Sequence, residues 1–281
     1  MIRENTVILA GTLLQDPKII KDQESQVAEK AYFYMECVER DYKNPALRIS
    51  SGKKYDEIFV FVNRRISVNK WVTSLEAGDA VIVYGTLSTM RKVIDYCTCC
   101  REPIYEEILY VDALDIHKLE FASKDNPKEK MNEHDEGGNQ LFLDGVVTNI
   151  SLENAETKNS FFEFEIEYFR QRNKENLKER DLSEDMLARR KLRTAWVKTY
   201  GKPAVEYTNA LRPGSEISIN GFLSVRPQKK TIACHNCGEI LTITSLDSAI
   251  IPFSIEYRDR CIIPEGKNET QERTETNSIR N

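Results

Sequence analysis

Leu75-Glu-Ala-Gly78-Asp, Gly85-Thr-Leu87-Ser88 and Cys97-x-x-Cys100 follow one another in the first half of the chain. The same three landmarks return as Leu211-Arg-Pro-Gly214-Ser, Gly221-Phe-Leu223-Ser224 and Cys234-x-x-Cys237. The offsets are 136, 136 and 137 residues. An earlier pair, Leu9-Ala-Gly11-Thr and Leu143-Asp-Gly145-Val, is offset by 134. Four landmarks in one order at one spacing mark a duplicated domain, and the repeat sets the unit that folds. Here the unit is about half the chain, which makes a tandem pair and not a solenoid.

Working outward, each half shows five strand signals. The first half has Val7–Leu13, Ala31–Val38, Ile58–Val62, Ala80–Leu87 and Glu107–Leu114. The second has Leu141–Val147, Phe162–Tyr168, Ala195–Tyr200, Glu216–Leu223 and Ile240–Thr244. Phe162-Glu-Phe-Glu-Ile-Glu-Tyr168 alternates with period two, as a half-buried strand does. Between the third and fourth strands lies a short helical stripe. It is Val68, Trp71, Val72 and Leu75 in one half, and Ala204, Val205, Tyr207, Ala210 and Leu211 in the other. Gly78 and Gly214 fit a left-handed cap where such a helix stops.

Three strands, a helix and two strands match a small Greek-key barrel, the oligonucleotide/oligosaccharide-binding (OB) fold. The sequence therefore predicts an all-β protein of two tandem five-stranded barrels. Residues 1–122 are the first barrel, 123–139 a flexible polar linker, 140–263 the second barrel and 264–281 a disordered tail. Inserts Arg40–Tyr55 and Gln171–Arg193 fall between strands two and three.

Composition agrees with two domains of ordinary size in 281 residues. No apolar run approaches the length of a membrane span. Met1–Thr6 carry no signal-peptide pattern, so a cytoplasmic protein is expected. Seven cysteines in such a chain read as metal ligands before disulfides. The net charge of −5 confines any nucleic-acid site to a local basic groove.

The first half carries Asn5-Thr-Val-Ile-Leu-Ala-Gly-Thr-Leu13 with Asp16-Pro17, and Leu75-x-x-Gly78-Asp-Ala-Val-Ile-Val-Tyr-Gly85-Thr-Leu87. The second carries Tyr200-Gly-Lys-Pro-Ala-Val-Glu-Tyr-Thr-Asn-Ala-Leu211-Arg-Pro-Gly214. In these stretches the chain resembles the bacterial single-stranded DNA-binding proteins. Paired barrels match the minority of that family that fuses two. The chain departs from the family in its CxxC hairpins, in Asn63 near a position that is often aromatic, and in lacking an acidic tip. The resemblance implies a non-enzymatic protein that binds single strands without sequence preference. Such a protein protects and organises DNA in replication, recombination or mobile-element transfer.

Strand binding of this kind needs aromatic faces for bases and cations for phosphates. Trp196, Lys198 and Tyr200 alternate on one face of the third strand, with Lys202 beyond them. Phe59 and Phe61 take the corresponding row in the first half, followed by Arg64 and Arg65. Arg91, Lys92, Arg226, Lys229 and Lys230 sit on the hairpins after strand four. Tyr32 and Tyr34 could extend the first platform. The Trp196 row is the richer, which predicts that the second barrel carries more affinity. Phe-Val-Phe also suits a buried strand, and Trp196 also suits packing under the charged insert.

A CxxC is half of a four-cysteine zinc site. Cys97, Cys100, Cys234 and Cys237 would complete one structural Zn2+ site if the barrels pack about a pseudo-twofold axis and their hairpin tips meet. Sharing each pair with a homodimer partner is the other geometry. Cys37 and Cys261 read as ordinary core or surface cysteines, and Trp71 as core. Glu163, Glu165 and Glu167 read as a solvated sheet face. The three histidines, 117, 134 and 235, stand in separate contexts, and no nucleophile motif or phosphate loop is present. The partner expected is single-stranded DNA, with RNA or a homo-oligomer left open, and neither a membrane nor a small-molecule substrate. A protein-interaction module that kept the barrels and lost the nucleic acid is the alternative.

Overall fold

The computed structural model describes residues 4–38, 55–120, 138–151, 161–169 and 192–258. Residues 123–137 of the linker, the 264–281 tail, Cys261, His134 and nearly all of both inserts lie outside them, whereas Gly138 and Asn139, expected in the linker, are strand residues. The first half contains β1 (Asn5–Leu13), β2 (Lys18–Lys21), β3 (Ala28–Val38), β4 (Tyr55–Val62), α1 (Arg65–Trp71), β5 (Ala80–Tyr96) and β6 (Pro103–Lys118). The second contains β7 (Gly138–Ser151), β8 (Phe161–Phe169), β9 (Leu192–Tyr200), α2 (Lys202–Ala210), β10 (Glu216–Ala233) and β11 (Ile240–Tyr257).

Each half closes on itself. In the first, β1 pairs antiparallel with β3 and β5, β3 with β4 and β5 with β6, and β4 runs parallel to β6. The second repeats this with β7, β8, β9, β11 and β10, again with one parallel pair, β9 and β11. That is the OB topology. The period-two pattern explains which face turns inward. Ala31, Phe33, Met35, Ile58, Val60 and Val62 are buried, as are Phe162, Phe164, Ile166, Ala195 and Val197.

The barrels join edge to edge through an antiparallel β1–β7 ladder running from Asn5↔Leu143 to Ala10↔Gly138. Val7 pairs with Leu141, its own repeat equivalent, so a pseudo-twofold axis passes through that pair. Buried residues of both barrels form one continuous core across the seam.

Several expectations are corrected. β2 is an additional strand in the first half, pairing with β3, and all four of its residues are exposed. The fifth strand of the second half extends to Tyr257, and the barrel is closed by its later part, around Ile250. Ile240–Thr244 instead pairs with the outer end of β10. Val205 is exposed and off the buried stripe, whereas Ala204 and Leu211 are buried. Val68, Val72 and Leu75 are buried as expected, with Trp71 packed against the core.

Gly78 and Gly214 have φ of 86° and 92°. They occupy turns, not helix caps: the Asp79 amide donates to Glu76 O at 3.1 Å and the Ser215 amide to Arg212 O at 3.0 Å. A positive φ before the last residue of such a turn suits glycine. At Gly85 and Gly221 the long strands bulge. A Cβ there would lie 2.6 Å from Asp112 O and 2.5 Å from Ile251 O. The bulges turn the chain at the barrel wall, so that β5–β6 and β10–β11 continue outward as two arms.

Candidate nucleic-acid interface and metal centre

The outer face of the first barrel collects aromatic rings. Tyr32 and Tyr34 on β3 pair across the ladder with Phe61 and Phe59 on β4. Phe59 lies 5.5 Å from Tyr32, 5.1 Å from Tyr34 and 6.2 Å from Tyr110, centroid to centroid. Phe61 meets Tyr110 edge-on at 6.1 Å. Phe59 and Tyr110 are buried and form the floor, while Tyr32, Tyr34 and Phe61 are half-buried and form the reachable rim. Such tilted packing locks the rings in place.

Lys92 comes off β5 above this floor. Its Nζ donates to the Tyr34 hydroxyl at 2.6 Å and stands 5.4 Å and 5.7 Å from the Tyr34 and Phe59 ring centres. Lys18 Nζ lies 6.0 Å from the centre of Tyr32. Arg91 points elsewhere, 4.3 Å from the Tyr105 ring centre. Arg64 and Arg65 are exposed at the start of α1, beyond Phe61. Sequence reading missed Tyr110 and Lys18. The alternation Tyr110-Val111-Asp112, with Val111 inward, was the available signal for the first.

The second barrel places its predicted row on the same outer face but in other company. Lys198 Nζ lies 2.7 Å from Asp247 Oδ2 and 3.8 Å from Glu163 Oε1. Burial opposes its charge, yet the Asp247 hydrogen bond and both carboxylates hold its pKa above 10.5. Trp196 pairs with Glu165 across the ladder, and Tyr200 with Phe161. Burial pushes the Tyr200 hydroxyl pKa up. Glu165 accepts from Thr148 Oγ1 at 2.9 Å. Lys202 opens α2 and is exposed, as is Lys229. Arg226 is half-buried and pairs with Asp247 across the β10–β11 arm.

The arms pack together. Lys230 Nζ bonds Glu106 Oε1 at 2.6 Å and the Leu109 amide donates to Ser248 Oγ at 3.2 Å, while the Val225 amide donates to Asp56 Oδ1 on β4 at 2.9 Å. At their tips the four predicted cysteines converge. Cys97 Sγ is 3.5 Å from Cys237 Sγ and Cys100 Sγ is 3.6 Å from Cys234 Sγ. All four sulfurs lie within 4.8 Å of one another. A tetrahedral thiolate site with Zn–S near 2.3 Å needs sulfurs about 3.8 Å apart. The donor set and spacing could hold one metal.

The turns around the sulfurs are equivalent. The Arg101 amide donates to Cys97 O at 3.0 Å and the Gly238 amide to Cys234 O at 2.8 Å. Both residues have positive φ, 62° and 75°. The Glu102 amide pulls the Cys100 thiol down to about 7 against the opposing effect of burial, whereas burial and neighbouring groups push the Cys97 and Cys237 thiols up against their own backbone hydrogen bonds. Glu239 ties the second tip to the first, accepting from Thr98 Oγ1 at 3.0 Å and the Cys99 amide at 2.9 Å. Cys99 and His235 are exposed, and Cys37 is buried in the first core. His117 is exposed on Asp115 at 3.0 Å.

Fold and site together define a tandem OB-fold protein with a grasped aromatic face and a four-cysteine clasp. No family model and no curated protein matches the sequence. Two solved structures of the single-stranded DNA binding protein from Thermus aquaticus do resemble its fold. A deletion and point variant is 15% identical, covering 94% of this chain and 99% of that one, with a TM-score of 0.58. The wild-type protein is 16% identical, covering 92% and 95%, with a TM-score of 0.55. The likeness spans both barrels and bears out the fold expected from the repeat. Among the described residues no helix is long and apolar enough to cross a membrane.

Proposed function

We propose that this protein binds single-stranded DNA without sequence preference and performs no chemistry on it. The observation that carries the reading is the ring cluster of Tyr32, Tyr34, Phe59, Phe61 and Tyr110 with Lys92 above it. Bases offer π-faces irrespective of sequence, and stacking contributes roughly 1–3 kcal/mol per base. Tyr32, Tyr34 and Phe61 receive the bases. Lys92, Lys18, Arg64 and Arg65 meet the phosphates. A chain of net charge −5 can bind nucleic acid this way where a few cations stand beside the ring cluster, as Lys92 and Lys18 do. The likeness in fold to the Thermus aquaticus protein supports the reading, and its biological task is to hold strands exposed in replication, recombination or mobile-element transfer.

Cys97, Cys100, Cys234 and Cys237 hold one structural Zn2+ that fixes the two arms together. Thiolate ligands in a reducing, cytoplasmic setting suit that ion.

Fluorescence anisotropy of labelled poly-dT tests the function. For single strands, log K should fall with log salt by about 0.7 per phosphate neutralised. A slope steeper than about −2 is expected if three or more cations engage. Duplex of equal length should compete poorly, because its bases are not free to stack. No binding at low salt, or equal affinity for duplex, would leave the protein-interaction reading as the better one.

A further inference from the structure

We propose that the described residues offer one base-stacking site, on the first barrel, and that the equivalent face of the second barrel carries ion pairs where the first carries rings. This rests on the strand-binding reading above and decides where on the molecule it operates.

The sheet registers make the two faces directly comparable. Val60 pairs in parallel with Val111, and Val197 with Ile250. Val60 therefore matches Val197, and Val111 matches Ile250. Tyr34↔Phe59 and Tyr32↔Phe61 then correspond to Glu165↔Trp196 and Glu163↔Lys198. Ser88↔Tyr110 corresponds to Ser224↔Ala249, and Lys92↔Glu106 to Gln228↔Ser245.

Position by position, the second barrel has replaced what a strand needs. Two tyrosines have become glutamates, Phe61 has become Lys198, and Tyr110 has become Ala249. Lys92, the cation above the rings, has become Gln228. Trp196 alone keeps a ring where the first barrel has one. Lys198 is not a substitute for Lys92, since Asp247 and Glu163 already neutralise it at 2.7 Å and 3.8 Å. A phosphate arriving there would meet the carboxylates Glu163, Glu165, Glu167 and Asp247, against which the row sets Lys198 and, near Tyr200, Arg226. Carboxylates beside a phosphate path cost affinity by like-charge repulsion. Tyr200 adds a ring at the end of the row, but the floor it would extend is missing.

The geometry also gives the second barrel a different role. Its arm packs on the first arm through Lys230–Glu106 and through Ser248 beneath the Leu109 amide, and on β4 through the Val225 amide on Asp56. Glu106 lies opposite Lys92 in the ladder. The second barrel thus buttresses the arm that carries Lys92, the cation of the single site.

The test is a stoichiometric titration of the full chain with a dT oligomer of about 8–10 nucleotides, a length one OB barrel can cover. Native mass spectrometry reads the ratio. A Trp71→Phe variant leaves Trp196 as the only tryptophan, and its emission reports directly on the second face. One oligomer per chain is expected, with Trp196 emission changed by less than about a tenth, because a stacked base would quench it far more. Two oligomers per chain, or strong quenching of Trp196, would overturn the assignment while leaving strand binding intact. No complex at all in low salt would overturn strand binding and this assignment together. Should the Trp71 variant fail to fold, the stoichiometry of the unaltered chain decides alone.

Discussion

Asn5 and Asn139 each make the same two hydrogen bonds, to the amide and carbonyl of Leu87 in one barrel and of Leu223 in the other. Tyr34 and Glu165 stand at equivalent points on the outer walls and have no chemistry in common. The barrels have kept what closes them and changed what they show. The Asn pair, the glycine bulges, the Gly78 and Gly214 turns and the cysteine tips are all matched. Each satisfies buried backbone or sets chain direction, and a barrel lacking one of them loses stability. The outer-face rings are free of that constraint, so one copy could lose them without unfolding. Where duplicated halves agree, the residues report on the fold. Where they differ, they report on use.

The largest expected effect is at the clasp, the one place where the halves make a single site. Purified protein should contain about one zinc per chain, as a single four-cysteine site requires. Replacing Cys97 and Cys100 by serine, or Cys234 and Cys237, should release all of it in either case. Elemental analysis showing half the metal kept by each variant would mean two separate sites and break the pairing of the tips.

The glycine bulges sharpen the claim that the interiors match. Gly85→Ala and Gly221→Ala each force a Cβ against backbone, 2.6 Å from Asp112 O and 2.5 Å from Ile251 O. Each should destabilise the protein by roughly 1–3 kcal/mol, the usual cost of overpacking a tight site. Urea unfolding of both variants should show similar losses; a large cost in only one barrel would break the symmetry.

A smaller effect separates the two tips. Arg101 holds φ 62° where the second half has Gly238 at 75°. A left-handed residue other than glycine costs about 1 kcal/mol or a little more. Arg101→Gly should therefore stabilise metal-loaded protein by up to about 1 kcal/mol in thermal melts. Gly238→Ala should destabilise it by a similar amount, and opposite signs would contradict the matched geometry.

The repeat made much of this legible. Landmark spacing was enough for two barrels, whereas two CxxC pairs 137 residues apart left a shared site or a homodimer open, and the structure brings the four cysteines together. Period two sorted Phe33, Val60, Phe164 and Val197 inward. β2 was hidden because all its residues are exposed and no alternation marks it. The closing part of β11 was hidden because the strand runs unbroken for 18 residues and its first half belongs to the arm. The order of the two faces was also hidden. Trp196-Val-Lys198-Thr-Tyr200 looks like the better platform along the chain. Only three-dimensional pairing brings Asp247 and Glu163 onto Lys198, and Tyr32, Tyr34 and Tyr110 around Phe59. The proposal that the strand lies on the first barrel rests on this pairing and departs from the expectation that the second barrel carries more affinity.

Two double variants measured side by side test that reversal most directly. Tyr32→Ala with Tyr34→Ala strips the rim of the first face, and Trp196→Ala with Tyr200→Ala strips the second. Anisotropy with labelled poly-dT should show a loss of about 2–4 kcal/mol for the first pair, at roughly 1–3 kcal/mol per stacked base. The second pair should change affinity by less than about 0.5 kcal/mol, as surface substitutions away from a site do. If circular dichroism finds both variants folded and the second pair loses the greater affinity, the strand lies on the second barrel and the account is wrong.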